Sequence, residues 1–272
     1  MKKLSVLFML FAIVVSGIGA QKTQEGFYLD QSVQASYDPL GFQLVSQAYY
    51  RMPLVNREGV LWESTKIDVG LLNNLSPAYD MAGAYITITP IALLDITLSA
   101  QVAGFYDLLG FGFYSLGGYN AGFDNDSLAL LSPKNTFGYV LSASPTFKIA
   151  IGPFVLVNDF NLTYYYVDDG NGFFFERVAN CALGKNDVEL LNQAYALWTI
   201  LPGLLAGVND YLLYVPGSGY VSHRLAAIGV YSTTLKRGLS FNAALILGTF
   251  LADQYFQYTL YVAAQAGISV AL

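Results

Sequence analysis

The residues best suited to chemistry are six polar side chains that stand at alternate positions in otherwise apolar stretches. They are Arg51, Lys66, Asp68, Asp95, Gln101 and Asp159. Successive side chains of a β-strand point to opposite faces, so a polar residue between two apolar ones belongs to a separate, wetter face. Such side chains could line a pore and bind a solute. The commoner alternative is that they form ion pairs and hydrogen bonds that hold the wall of a narrow closed sheet together.

His223 is the single histidine of the sequence, so a hydrolase of the Ser–His type would have to use it. On a strand, its serine partner must point to the same face, two residues away or on a neighbouring strand. Val221 and Leu225 hold the two-away positions, and the adjacent Ser222 points to the opposite face. Ser218 lies in a turn and could reach His223 only through a local fold-back. We therefore expect a histidine at the rim, no catalytic residues and no enzyme activity.

The sequence provides little support for a metal site or a cofactor site. One histidine and one cysteine make a transition-metal site improbable, and Cys181 is expected to be a small packing residue. Asp124, Asn125 and Asp126, like Asp168 and Asp169, lack the full ligand spacing of a calcium loop, so solvated loop residues are the simpler interpretation. The formal net charge of −6 argues against a nucleic-acid partner. No cofactor is expected.

Strict alternation over the last seventeen residues indicates the element that must position such side chains. From Phe256 to Leu272, every second residue is apolar or aromatic, and the residues between them are polar, small or, at Tyr261, amphipathic. A period of two over this length predicts a β-strand with one apolar and one polar face. The same alternation recurs at 42–54, 66–71, 94–104, 159–166 and 239–247. A tilted strand that crosses a membrane needs about 9–11 residues, which the longer stretches supply directly.

The composition indicates where these strands reside. The chain is 54% hydrophobic with only 12% charged residues, whereas about 25% charge is usual for soluble domains. After the N-terminal segment, no run approaches the roughly 18 apolar residues of a membrane helix. Lipid accepts only helices or closed barrels, because every backbone polar group must be hydrogen bonded. The strands are therefore expected to close into a barrel, and no linker divides the chain into two domains.

Residues 1–20 have the pattern of a cleaved secretory signal peptide. Lys2 and Lys3 precede an apolar run, and Gly17 and Gly19 have the spacing for a cut after Gly19, whereas a cut after Ala20 would place the bulkier Ile18 three residues back. We expect a short N-terminal segment at 21–27 and a barrel over 28–272.

Most predicted connections are tight turns, which favour antiparallel hairpins. One connection, near 107–135, is long, rich in glycine and aromatic residues, and is expected to be an extracellular loop. Its aromatic residues are interpreted as a girdle at the membrane interface that continues into a projecting hairpin. A greasy patch that binds a lipid-like ligand or a surface partner is the alternative.

Taken together, the signal segment, the alternating strands and the terminal strand resemble bacterial outer-membrane β-barrels as a class. The terminal residue is Leu272, where the recognition signal of the class favours an aromatic. The resemblance implies an all-β, antiparallel up-and-down transmembrane barrel in the outer membrane. It also implies contact with outer-membrane lipid and with the barrel-assembly machinery.

The sequence suggests twelve or thirteen strands, and twelve is predicted because barrels of this class have an even number. One of the runs 173–182, 188–200 and 204–215 then fails to cross the membrane, or a connection is longer than it looks. We expect a channel or transporter for small solutes or amphiphiles with a small polar lumen. A plugged structural or surface-interaction barrel is the alternative, and a lipid hydrolase ranks below both.

Overall fold

The computed structural model describes residues 23–37, 41–55, 57–106, 108, 112–168, 172–177, 180–236 and 238–272. The predicted signal peptide lies outside the described residues. The strands are β1 (Gly26–Tyr37), β2 (Gly41–Pro53), β3 (Lys66–Leu75), β4 (Tyr79–Ile91), β5 (Leu94–Phe105), β6 (Thr136–Ile151), β7 (Phe154–Val167), β8 (Phe173–Glu176), β9 (Cys181–Gly184), β10 (Asn186–Leu201), β11 (Leu204–Val215), β12 (Tyr220–Lys236), β13 (Leu239–Ala252) and β14 (Leu260–Ala271). One short helix, α1 (Asn125–Ala129), lies between β5 and β6.

Twelve of these strands form one closed antiparallel barrel. Neighbours in the barrel are also neighbours in the chain, except that β7 pairs with β10 and that β1 closes the barrel on β14. The closing seam runs from Tyr28 opposite Ala271 to Tyr37 opposite Val262. Closure leaves no unpaired sheet edge among these strands. The predicted all-β up-and-down barrel of about twelve strands is confirmed.

The run 173–182, one of the three with an ambiguous pattern, does not form a strand of the barrel wall. Its residues belong to β8 and β9, which pair with each other as a two-stranded sheet separate from the barrel. The runs 188–200 and 204–215 correspond to β10 and β11, which are strands of the barrel wall. The barrel therefore has twelve strands, the even number that was predicted. Apolar residues occupy both faces of β8 and β9 because this hairpin is buried on both sides.

The last strand is shorter than its sequence pattern predicts. It begins at Leu260, and residues 256–259 belong to a turn. The carboxylate of Asp253 accepts the backbone N–H of Phe256 at 3.0 Å, which fixes this turn. The Phe256 ring packs inward against Phe250, with ring centroids 5.8 Å apart. The prediction of a strand from Phe256 was therefore wrong for its first four residues, since alternation alone does not show where a turn interrupts a strand.

The two ends of the barrel differ. The end that contains the start of β1 and the end of β14 is called the proximal end here. It has short turns at 92–93, 152–153 and 202–203, a turn that contains Gly238, and one longer connection between β2 and β3. The opposite, distal end has two long connections, 106–135 and 168–185. Among the described residues, no helix is long and apolar enough to cross a membrane.

Candidate functional site

The distal half of the lumen is filled by the two long connections. We call residues 112–135 together with 172–177 and 180–184 the plug. The backbone N–H of Leu116 donates to the carbonyl of Phe173 at 2.8 Å, and that of Phe175 donates to Tyr114 at 2.9 Å. These bonds join the first connection to the β8–β9 hairpin. The plug is therefore one folded unit and not two independent loops.

Aromatic side chains pack the plug against the inner wall. The Phe113 ring lies 5.3 Å from Phe105 of β5 and stacks on Phe174 at 5.4 Å. Phe174 in turn meets Tyr165 of β7 at 6.4 Å. These rings are buried in one apolar cluster that also includes Tyr114 and residues of β4–β7 and β10–β12. The girdle interpretation was wrong for Phe113, Tyr114 and Phe123, which are buried because the loop turns back into the barrel.

Polar groups tie the plug to the barrel at specific points. Asp187 of β10 accepts the Tyr119 hydroxyl at 2.9 Å and the Gly184 N–H at 2.8 Å. Burial, followed by the hydrogen bond to Asp187, raises the pKa of Tyr119 to about 12. Within the plug, the guanidinium of Arg177 donates to the Gly112 carbonyl at 3.0 and 3.2 Å, and burial lowers the pKa of Arg177. The hydrogen bonds to these groups offset part of the cost of their desolvation.

The six residues expected to line the lumen all lie on the inner face of the barrel. Five of them are near the proximal end, and Gln101 lies further towards the distal end. Arg51 and Asp68 form an ion pair at 2.8 Å, and Lys66 lies 2.9 Å from the same carboxylate. Together with Asp95 and Asp159, they form what we call the ionic wall, on β2–β7.

Hydrogen bonds to threonine and lysine complete the ionic wall. Thr89 donates to Asp95 at 2.6 Å and Thr146 donates to Asp159 at 2.7 Å. Lys148 forms an ion pair with Asp95. We did not single out Lys148 from the sequence, although it alternates with apolar neighbours within β6. Thr146 and Lys148 are two residues apart in β6 and therefore point to the same, inner face. The alternation pattern was thus sufficient to identify Lys148.

The opposite wall of the lumen is apolar towards the proximal end. We call this surface the apolar wall; its members come from β7 and β10–β14. They are Val155, Val157, Tyr195, Leu197, Leu205, Ala226, Ile228, Val230, Ile246, Phe250, Tyr261 and Ala263. The prediction of a polar lumen was therefore wrong for this half of the inner face. In these strands, the sequence has apolar residues on both faces, so alternation does not distinguish the inner face from the outer one.

A buried arginine lies where the plug and the apolar wall meet. Three rings surround the Arg224 guanidinium, whose central carbon is 3.7 Å from the Tyr261 centroid, 4.4 Å from Tyr211 and 5.8 Å from Phe250. No carboxylate among the described residues forms an ion pair with it. Cation–π contacts offset part of the desolvation of the charge.

Three buried polar atoms in this region have no hydrogen-bond partner within the described part of the chain. They are Nε of Arg224, Nε2 of Gln193 and Oδ1 of Asn209. Their residues lie on the neighbouring strands β12, β10 and β11 and all point inward. Buried polar groups without partners are uncommon in native proteins. The arrangement has two donors and one acceptor that a polar ligand could satisfy.

His223 lies on the outer face of β12 and not in the lumen. Its Nε2 is 2.7 Å from Oδ1 of Asp210 on β11. Ser222 is buried on the inner face of the same strand, and the Ser218 hydroxyl lies in the 216–219 turn, 3.4 Å from the Val215 carbonyl. The described residues also contain no group of three or more potential metal ligands.

Comparison with known proteins relates the fold to one architectural class. No family model and no curated protein matches the sequence. Among solved structures, an outer membrane channel from Pseudomonas putida F1 is 10% identical, with a TM-score of 0.50 over 95% of this chain and 100% of that chain. The β domain of the Bordetella autotransporter BrkA is 9% identical, with a TM-score of 0.48 over 92% and 100%. The chain has the fold of a bacterial outer-membrane β-barrel.

The porin NanC is a further structural neighbour of this barrel, 9% identical with a TM-score of 0.41 over 90% of this chain and 100% of that one. Identities this low relate the architectures only. The plug, the ionic wall, the apolar wall and the Arg224 region are therefore interpreted from the barrel's own residues.

Proposed function

We propose that this barrel resides in the outer membrane and carries a small amphiphile with an anionic head group through a lumen that the plug closes at rest. The observation that carries the proposal is the contrast between the two walls of the proximal lumen. The ionic wall contains paired charges, whereas the apolar wall is aliphatic and aromatic. A molecule with one polar end and one alkyl end matches such a lining better than a sugar or an inorganic ion does.

The buried polar atoms specify the head group. Arg224 contributes a positive charge without an ion-pair partner among the described residues, and Gln193 contributes a second donor. An anionic head group would satisfy both, while its alkyl chain lay along the apolar wall near Ile228 and Val230. The ligand would enter from the proximal end, which is periplasmic in barrels of this architecture, or from the distal end after movement of the plug.

Binding tests this proposal directly. Decanoate is titrated into the barrel in lipid nanodiscs, with empty nanodiscs as the blank and decyltrimethylammonium as the cationic probe of similar length. We expect saturable binding of decanoate only. Replacing Arg224→Gln should weaken binding about tenfold, in line with the loss of a charge-assisted hydrogen bond. Arg57→Gln, which removes a charge at an exposed proximal position, is the matched control and should bind as wild type.

The plugged structural barrel remains the second candidate because the plug is so thoroughly packed. It predicts no saturable binding of either probe and no conductance after removal of the plug. We propose no enzymatic role. Barrel-assembly machinery and outer-membrane lipid are the expected partners of any such barrel. A surface partner would have to bind the exposed part of the plug around Leu130 and Leu131.

A further inference from the structure

Four polar side chains lie on the outer face of neighbouring strands, where apolar side chains otherwise predominate. They are Asn158 of β7, Asn192 of β10, Asp210 of β11 and His223 of β12. Nδ2 of Asn158 donates to Oδ1 of Asn192 at 2.8 Å, and His223 pairs with Asp210 at 2.7 Å. We call these four residues the outer polar stripe.

Asp210 and Asn192 of the outer polar stripe have apolar outward neighbours on both sides along their strands, whereas His223 lies near the distal end of β12. On β11, the outward neighbours of Asp210 are the exposed Val208 and Leu212. Asn192 lies between Leu190 and Ala194 on the outer face of β10. Polar and ionisable groups at such positions are costly in lipid and are usually associated with function.

The internal pairs leave much of the stripe uncovered. The Asp210 side chain is 53% exposed and that of His223 is 34% exposed. A carboxylate can accept about four hydrogen bonds, and an amide can both donate and accept. Acyl chains offer no partner for these groups. A protein surface with matching donors and acceptors would satisfy them.

The wall next to the stripe bears the exposed Val208 and Leu225 but is otherwise largely flat, because five of its outward residues are small. They are Ala194, Ala196, Ala206, Ala227 and Gly229. The strand register places Ala194 opposite Asp210, so the small residues begin beside the stripe, and it places Ala206 opposite Gly229 further towards the proximal end. Small side chains let a second protein wall approach closely and gain dispersion contacts.

We propose that the outer polar stripe and its flat surroundings bind a second copy of this chain within the membrane. The stripe is complementary to itself, since it combines a carboxylate acceptor, an imidazole and two amides. A two-fold axis normal to the membrane, between β10 and β11, would bring Asp210 of one copy to face Asn192 of the second copy. The amide would then donate to the carboxylate on both sides of the axis, as in an isologous interface.

The first test removes the polarity of the stripe without harming the lipid-facing surface. Subunits are counted by single-molecule photobleaching in liposomes at a fixed protein-to-lipid ratio. We expect wild type to be dimeric and the double variant Asp210→Leu, His223→Leu to dimerise at least tenfold more weakly. Gln31→Leu replaces an outward polar residue of β1, far around the barrel, and should remain dimeric. Leucine is well tolerated in lipid, and heat-modifiable gel mobility verifies that each variant folds.

The second test locates the contact. In a Cys181→Ala background, Ala194→Cys should form a dimer with a short bismaleimide, and Val69→Cys on the opposite side should not. Monomeric wild type, an unchanged double variant or cross-linking only at position 69 would each overturn the proposal. Monomeric wild type that retains an anionic lipid, with the lipid lost in the double variant, would also overturn it and would assign the stripe to a head group.

Discussion

Arg51 and Asp68 join β2 to β3 through two parallel contacts, Nε to Oδ1 at 2.8 Å and Nη2 to Oδ2 at 2.9 Å. Lys66 approaches the second oxygen at 2.9 Å, so one carboxylate holds two cations. The Arg51 guanidinium also lies over the ring of Tyr28 on β1, 4.5 Å from its centroid. Three strands therefore meet at one buried acid, and the ionic wall depends on it.

Asp68→Asn should destabilise the barrel by about 2–3 kcal/mol, because it leaves two cations without their counter-charge in a largely buried site. Urea unfolding in liposomes, followed by heat-modifiable mobility, measures the loss. The matched control is Asp168→Asn, which breaks the exposed pair with Lys185 and should cost roughly 0–1 kcal/mol. Equal losses for the two variants would contradict a special role for Asp68.

Cys181 should report on opening of the plug. Its side chain is fully buried, and burial raises the pKa of the thiol well above its usual value, so little reactive thiolate forms at neutral pH. Maleimide labelling followed by mass spectrometry should be slow in the native barrel and fast once the plug is displaced. Ser218→Cys at the distal rim is the control and should label at once. Similar rates at both sites would show that the plug is open at rest.

Loss of plug packing should open the lumen. Phe174→Ala removes a fully buried ring that stacks on Phe113, and such a truncation costs about 3–5 kcal/mol in a packed core. Planar-bilayer recordings should show almost no ionic current through the wild-type barrel and frequent channel openings in the variant. Deletion of residues 112–132 should give a larger, steady conductance. Phe137→Ala, on the outer face of β6, is the control and should behave as wild type.

The N-terminus of α1 should be sensitive to acid. Asp124 accepts hydrogen bonds from the hydroxyl and the backbone N–H of Ser127, which lower the pKa of Asp124 below its usual 3.8. Its contribution is therefore complete above pH 3.8 and is lost as the pH falls through the lower folded value. Asp124→Ala should speed hydrogen exchange at Leu128 at neutral pH, consistent with a cap of about 1 kcal/mol. Asp126→Ala should change exchange less, because Asp126 is exposed.

Lipid hydrolysis should be absent. His223 and Ser222 lie on opposite faces of β12, and His223 is paired with Asp210 outside the lumen. Purified barrel incubated with phospholipid should release no fatty acid, and His223→Ala should be indistinguishable from wild type. Activity that disappears in this variant would require a serine that reaches the outer face, and our proposal of a non-enzymatic barrel would be wrong.

Local alternation was enough to predict much of the inner face. The ion-pair residues Arg51 and Asp68 were assigned to the lumen because the strand period places them opposite apolar neighbours. The same reasoning failed at 173–182, where both faces are apolar. A hairpin that is buried on both sides has apolar residues on both faces. The sequence alone therefore does not show to which face each of its side chains points.

The sequence by itself determined that the chain forms strands that close into an antiparallel barrel, because successive side chains along each strand alternate between a polar face and an apolar face suited to lipid. Only the tertiary structure decided what fills the barrel. The aromatic rings of Phe113 and Phe174 are far apart in the chain and suit a girdle as well as a plug. Their burial depends on where two long connections meet in space, and local patterns carry no information about such contacts between distant segments.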